Sequence, residues 1–141
     1  MSSILVDTGA WYALMSRTDI NHAKAKQFYQ ERVGQDSFIT TLPIVVETWA
    51  LANARLGRRA AMQFWGMLRE TGLPLITPEP PDMDRAWEIS QRYPDQDFSL
   101  VDCLTFAIME RYGVEAAFTF DRHFLVYRYG PSLNRALTCL P

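Results

Sequence analysis

Short apolar runs, too brief to be helices, recur along this chain, and each is followed by residues with helical periodicity. The runs are Ile4-Leu5-Val6, Phe38-Ile39-Thr40, residues 73–77 and Ala117-Phe118-Thr119-Phe120. Strands covered on both faces read as continuous apolar stretches, whereas half-exposed strands alternate. Helices inserted between strands enforce parallel pairing through crossovers. The pattern therefore predicts an α/β fold, a three-layer α/β/α sandwich with a central parallel sheet of four or five short strands. At 141 residues, without repeats or linkers, residues 1–141 read as one domain.

In order, the chain predicts a strand at 3–7, a helix at 9–16 and a second helix with Asn21 as its cap. Ala25, Phe28, Tyr29 and Val33 recur there at helical spacing. After a strand at 37–40, Pro43 opens a helix that ends near Gly57, and another helix covers Arg58–Thr71. A strand at 73–77 precedes a helix through Trp87 and Ile89 that Pro94 stops. An apolar helix at 99–112, a strand at 116–120, a turn through Asp121-Arg122-His123-Phe124 and a last strand at 136–140 complete the reading.

Several function classes fall away. An apolar content of 48% rules against disorder. Two cysteines, Cys103 and Cys139, cannot make a disulfide framework or a CxxC zinc site, and a reduced cytoplasmic setting fits them. No run is long enough to span a membrane, and the N-terminus, with Asp7 breaking its apolar run, does not read as a signal peptide. The net charge of −2 is unusual for a nucleic-acid binder, but bound divalent cations would reverse its sign. Arg55, Arg58 and Arg59 cluster in sequence, and they are expected to lie apart from the acids.

Four acids then stand out. Asp7 and Asp121 close apolar runs, Glu47 sits among Ile44, Val45, Val46 and Trp49, and Asp102 lies one turn into the helix that Ser99 caps. In an open α/β sheet, the carboxyl ends of the strands gather along one edge. Carboxylates brought together there repel unless cations hold them, and hard ions such as Mg²⁺ or Mn²⁺ prefer oxygen ligands. Each acid also has a structural reading. Asp7 could cap a helix, Glu47 could face solvent, Asp121 could belong to a turn, and Ser99 with Asp102 forms a capping-box pattern. It is their joint placement, with the hydroxyls of Thr8, Ser99 and Thr119 nearby, that points to metal-assisted hydrolysis. Asp7-Thr8-Gly9 also matches the aspartic-protease triplet, but that fold is all-β. A dehalogenase-like phosphatase needs a second Asp where this chain has Gly9.

Several separated segments together resemble the PIN-domain ribonucleases, especially the toxin halves of VapBC toxin–antitoxin pairs. They are Ile4-Leu5-Val6-Asp7-Thr8, Pro43 ahead of Glu47, Asp97-Phe98-Ser99-Leu100-Val101-Asp102-Cys103, and Phe118-Thr119-Phe120-Asp121-Arg122-His123-Phe124. The resemblance implies an endoribonuclease dependent on Mg²⁺ or Mn²⁺, with Asp7 and Asp102 as principal ligands and Glu47 and Asp121 completing the site. Thr8, Asp97, Ser99, Thr119 and Arg122 are secondary candidates. His123 reads as a structural turn residue, and the pair Trp11-Tyr12 as core in preference to a base-stacking platform. Water as nucleophile implies 5′-phosphate and 3′-hydroxyl ends, and a shallow cleft implies single-stranded or loop RNA. The resemblance also implies a homodimer and a small cognate antitoxin, with part of the helix pair at 44–69 as partner surface. A non-catalytic PIN-like binding module is the alternative.

Overall fold

The computed structural model describes residues 3–141. Met1 and Ser2, part of the N-terminus expected to lack a leader, lie outside the described residues. The elements run β1 (Ser3–Val6), α1 (Thr8–Met15), α2 (His22–Arg32), β2 (Ser37–Thr41), α3 (Leu42–Arg55), α4 (Arg58–Thr71) and β3 (Leu75–Ile76). They continue with α5 (Pro80–Arg92), α6 (Leu100–Tyr112), β4 (Ala116–Phe118), α7 (His123–Val126), β5 (Arg128–Tyr129), β6 (Arg135–Ala136) and β7 (Thr138–Leu140). Five parallel strands form the central sheet in the order β3-β2-β1-β4-β7, flanked by helices, as the sequence predicts.

β1 is the centre of the sheet. Ile4, Leu5 and Val6 pair with Ala116, Ala117 and Phe118, and all three are essentially inaccessible. Burial on both faces explains why the run is continuously apolar. α1 packs against both α2 and α3, α3 packs on α4, and α5 packs on α6. Trp11 is 1% exposed, and its indole N–H donates to Thr40 Oγ1 at 3.3 Å. It belongs to the core, as expected, and cannot stack on a base.

The structure moves several boundaries. β4 ends at Phe118, so Asp121 closes no strand. The Thr119 hydroxyl accepts the Asp121 backbone N–H at 3.0 Å, which turns the chain away from the sheet. β3 shrinks to Leu75–Ile76, because Pro74 has no N–H to donate to a ladder and offers only its carbonyl, to Thr40 N–H at 3.1 Å. The single strand expected at 136–140 is divided. Ala136 pairs antiparallel with Arg128 in the β5–β6 ribbon, whereas Thr138–Leu140 joins β4 in the main sheet. Asn21 precedes α2 without a side-chain cap bond, and Val33 lies beyond its end.

The helix pair at 44–69 divides between core and surface. Phe64 is buried, while Met62, Trp65 and Val46 are exposed. Gly57, at φ +100°, lets the chain reverse between α3 and α4 in a backbone conformation that side-chain-bearing residues avoid.

Candidate metal centre

The strand order reverses at β1. The chain adds β2 and β3 on one side and β4 and β7 on the other. Crevices at such a switch point, beyond the carboxyl ends of the strands, are where open α/β sheets bind ligands. Asp7 follows β1 at this point, and its backbone N–H donates to Phe118 O at 3.1 Å. Asp7, Glu47, Asp102 and Asp121 all line one cavity of about 350 Å³. Strand ends deliver Asp7 and, through the Thr119 turn, Asp121. α3 delivers Glu47 and α6 delivers Asp102.

The carboxylates are held individually. Asp7 stands at the N-cap position of α1 without making a side-chain cap bond, so the capping reading fails. Its Oδ2 instead accepts the Thr119 hydroxyl at 3.0 Å. Burial pushes the Asp7 carboxyl up from 3.8 to about 7. The bonds from Thr119 and the Thr8 backbone oppose that rise, and the charges of Asp121 and Asp102 add to it.

Asp102 satisfies its structural reading and also lines the cavity. It forms a capping box with Ser99, accepting Ser99 N–H at 3.0 Å while its own N–H donates to Ser99 Oγ at 3.0 Å. The same Oδ2 lies 2.8 Å from His123 Nδ1. Among the described residues, no hydrogen bond from protein reaches the other oxygen, Oδ1. Burial raises the Asp102 carboxyl, against the pull of Ser99 and His123.

The secondary candidates separate. Thr8 lines the cavity, and its hydroxyl is buried with no partner. Thr119 links Asp7 to the turn that carries Asp121. Ser99 acts on Asp102 through the cap and does not line the cavity. Asp97 and Arg122 are exposed and lie outside it. His123 is more than a turn residue. Its ring nitrogen faces Asp102 and lies 3.5 Å from Asp121 Oδ1, and its backbone N–H donates to that oxygen at 2.9 Å.

Sequence reading missed Asp19, Asn21, Tyr12 and Arg55 as lining residues. Arg55 also corrects the expectation that the arginines lie apart from the acids. The signal was its spacing: Glu47, Leu51 and Arg55 recur every four residues and so share one face of α3. Arg58 and Arg59 do not line the cavity.

The donor set fits a hard divalent cation. Carboxylate oxygens converge, two of the acids have raised proton affinity because of burial, and an orphaned hydroxyl, Thr8 Oγ1, is buried among them. Asp102, Asp121 and His123 each offer an atom within 4.8 Å of the others. A cation there would relieve the repulsion that now favours protonation.

Comparison with known proteins agrees with this geometry. A family model described as PIN domain matches residues 4–128. The chain belongs to the PIN domain family. This PIN domain is 31% identical over 121 residues to the 23S rRNA-specific endonuclease VapC20 of Mycobacterium tuberculosis, in strains CDC 1551/Oshkosh and ATCC 25618/H37Rv. The match covers 86% of this chain and 91% of the relative. The crystal structure of Mycobacterium tuberculosis VapC20, a Sarcin-Ricin loop cleaving toxin, superposes with a TM-score of 0.79 at 30% identity. That superposition covers 84% of this chain and 90% of the other. A Pyrobaculum aerophilum protein shares the fold, with a TM-score of 0.59 at 17% identity over 98% of this chain and 83% of its own.

Proposed function

We propose that this PIN domain, read as one domain over residues 1–141, is a divalent-metal-dependent endoribonuclease and the toxin half of a toxin–antitoxin pair. The observation that carries the reading is the convergence of Asp7, Glu47, Asp102 and Asp121 on one cavity at the strand-order switch. Kinship to an rRNA endonuclease supports RNA as the substrate class, in single-stranded or loop form. In this reading Asp7 and Asp102 are the principal ligands of Mg²⁺ or Mn²⁺, and Glu47 and Asp121 complete the set.

A bound cation supplies charge neutralisation at the phosphate and a more acidic water. The residues supply the rest. The Thr119 hydroxyl orients Asp7 and favours its charged form. Ser99 N–H and His123 hold Oδ2 of Asp102, which leaves Oδ1 free to act as a ligand. With water as the nucleophile, the products are a 5′-phosphate and a 3′-hydroxyl.

The partner reading rests on the surface of α3 and α4. Leu42, Val45, Val46, Trp49, Trp65 and Leu75 line an apolar groove of about 370 Å³, and Trp49 Nε1 in its wall is a buried donor without a partner. Aromatics together with exposed aliphatics are the composition of interface cores. We assign this groove to the homodimer or to a small antitoxin, whose cationic side chain meets the carboxylates and competes with metal. Two free cysteines fit a cytoplasmic protein, and among the described residues no helix is long and apolar enough to cross a membrane.

The test is cleavage of a loop-containing RNA by purified protein. EDTA should abolish it and Mn²⁺ should restore it. RNA binding that is never accompanied by cleavage at any metal concentration would favour the alternative, a non-catalytic binding module.

A further inference from the structure

Arg55 is the one cation among the residues that line the acid cavity. Among the described residues it makes no ion pair and no side-chain hydrogen bond. Its guanidinium lies over Tyr12 in a cation–π contact, with Cζ 5.6 Å from the ring centroid. By contrast, Arg32, Arg85 and Arg111 are each engaged by carboxylates. Arg55 thus faces a carboxylate-rich cavity and pairs with none of its acids. The contact with Tyr12 limits its conformers, and its N–H donors are not used by any acid of the cavity.

Its position defines what it can reach. Glu47, Leu51 and Arg55 share the cavity face of α3, and eight residues of helix amount to about 12 Å. Helical side chains lean toward the N-terminus, which tilts Arg55 back toward the acids. From that position along α3, a guanidinium is placed to meet a phosphate that flanks the one held at the acids. An RNA strand needs such a contact here, because the acids around the scissile phosphate attract metal but repel the flanking phosphates. Planar, bidentate donation to phosphate is the interaction at which arginine surpasses lysine.

We propose that Arg55, held in place by Tyr12, is a positioning residue that grips an RNA phosphate flanking the scissile one. The assignment rests on the endoribonuclease reading above. Tyr12 acts through the arginine and not as a base-stacking platform.

The test compares wild type with Arg55→Ala, Arg55→Lys, Tyr12→Leu and the control Arg69→Ala, which removes an equal charge from the exposed last turn of α4. Steady-state cleavage of a loop-containing RNA oligonucleotide in Mn²⁺ gives KM and kcat separately. Arg55→Ala should raise KM roughly tenfold or more while kcat changes far less, the pattern of lost uniform binding. Arg55→Lys should recover part of the loss, and Tyr12→Leu should show a smaller change of the same kind. Binding of the same oligonucleotide by Asp102→Asn protein, followed by anisotropy across a salt series, should lose about 0.7 from its log–log slope when Arg55→Ala is added. A series of oligonucleotides, each with one phosphate replaced by an uncharged methylphosphonate, supplies a readout on unmutated protein. One position next to the cleavage site should weaken wild type but leave Arg55→Ala indifferent.

An Arg55→Ala KM no higher than that of Arg69→Ala, an unchanged salt slope, or a methylphosphonate penalty that persists in Arg55→Ala would each overturn the assignment. Wild type that neither binds nor cleaves RNA in Mn²⁺ would instead refute the nuclease reading, and this assignment with it.

Discussion

Replacing Asp7 by Asn should stabilise the metal-free protein while destroying its activity, and the stabilisation should grow with pH. Asp7 is 5% exposed, and its proton affinity rises from an ordinary 3.8 to about 7 on folding. Between those values the folded state binds more protons than the unfolded one, so stability falls as pH rises through the window. Linkage gives a penalty of about 2 kcal/mol near pH 5 and about 4 kcal/mol near pH 8. Asn carries no charge at either pH and can still accept the Thr119 hydroxyl, although its new amide donors lack an evident acceptor. Allowing for that, a gain of about 2 kcal/mol near pH 8 is expected, or roughly 4–8 °C in Tm for a domain of this size. Thermal melts in EDTA at the two pH values measure it. Mn²⁺ should raise the Tm of wild type and have little effect on the variant. Equal pH dependence of stability in wild type and Asp7→Asn would refute the reasoning, because the burden of the buried charge would then lie elsewhere.

Asp102→Asn should reduce RNA cleavage by orders of magnitude with the fold intact by circular dichroism, and wild-type rates in that variant would exclude Asp102 from the metal set. Thr119→Val removes the donor that favours ionised Asp7, so the acidic limb of the pH–rate profile should move to higher pH; an unmoved limb would separate Thr119 from Asp7 function. Product ends should be 5′-phosphates by enzymatic labelling, and 2′,3′-cyclic phosphates would mean that the substrate 2′-OH, not water, is the nucleophile. Trp65→Asp should abolish capture of the cognate small protein, or shift a dimer to monomer in sedimentation, without changing cleavage by the isolated domain. Retention of both associations would remove the α3–α4 groove from the partner surfaces.

Much of this protein was legible in its sequence, because the relevant determinants are local. Continuous apolar runs such as Ile4-Leu5-Val6 announce strands covered on both faces, and the helices between them require parallel pairing. The Ser99–Asp102 capping box spans four residues and forms as written. The acids at run ends implied one sheet edge, and all four line one cavity. Other features depended on residues far apart in the chain. Which side of β1 receives β4 places Asp121 near Asp7, 114 positions earlier, and no local pattern encodes that choice. The Thr119 hydroxyl accepts the Asp121 N–H within its own turn, but its bond to Asp7 appears only once β1 and β4 are neighbours. Arg55 joins the acids because the pitch of α3 carries it onto the Glu47 face, and the packing of α1 on α3 brings Tyr12 beneath it. Periodicity reports how a residue relates to neighbours within a turn or two. Burial, charge coupling and shared cavities depend on the order in which whole elements are laid side by side, and that order is set by packing the entire chain.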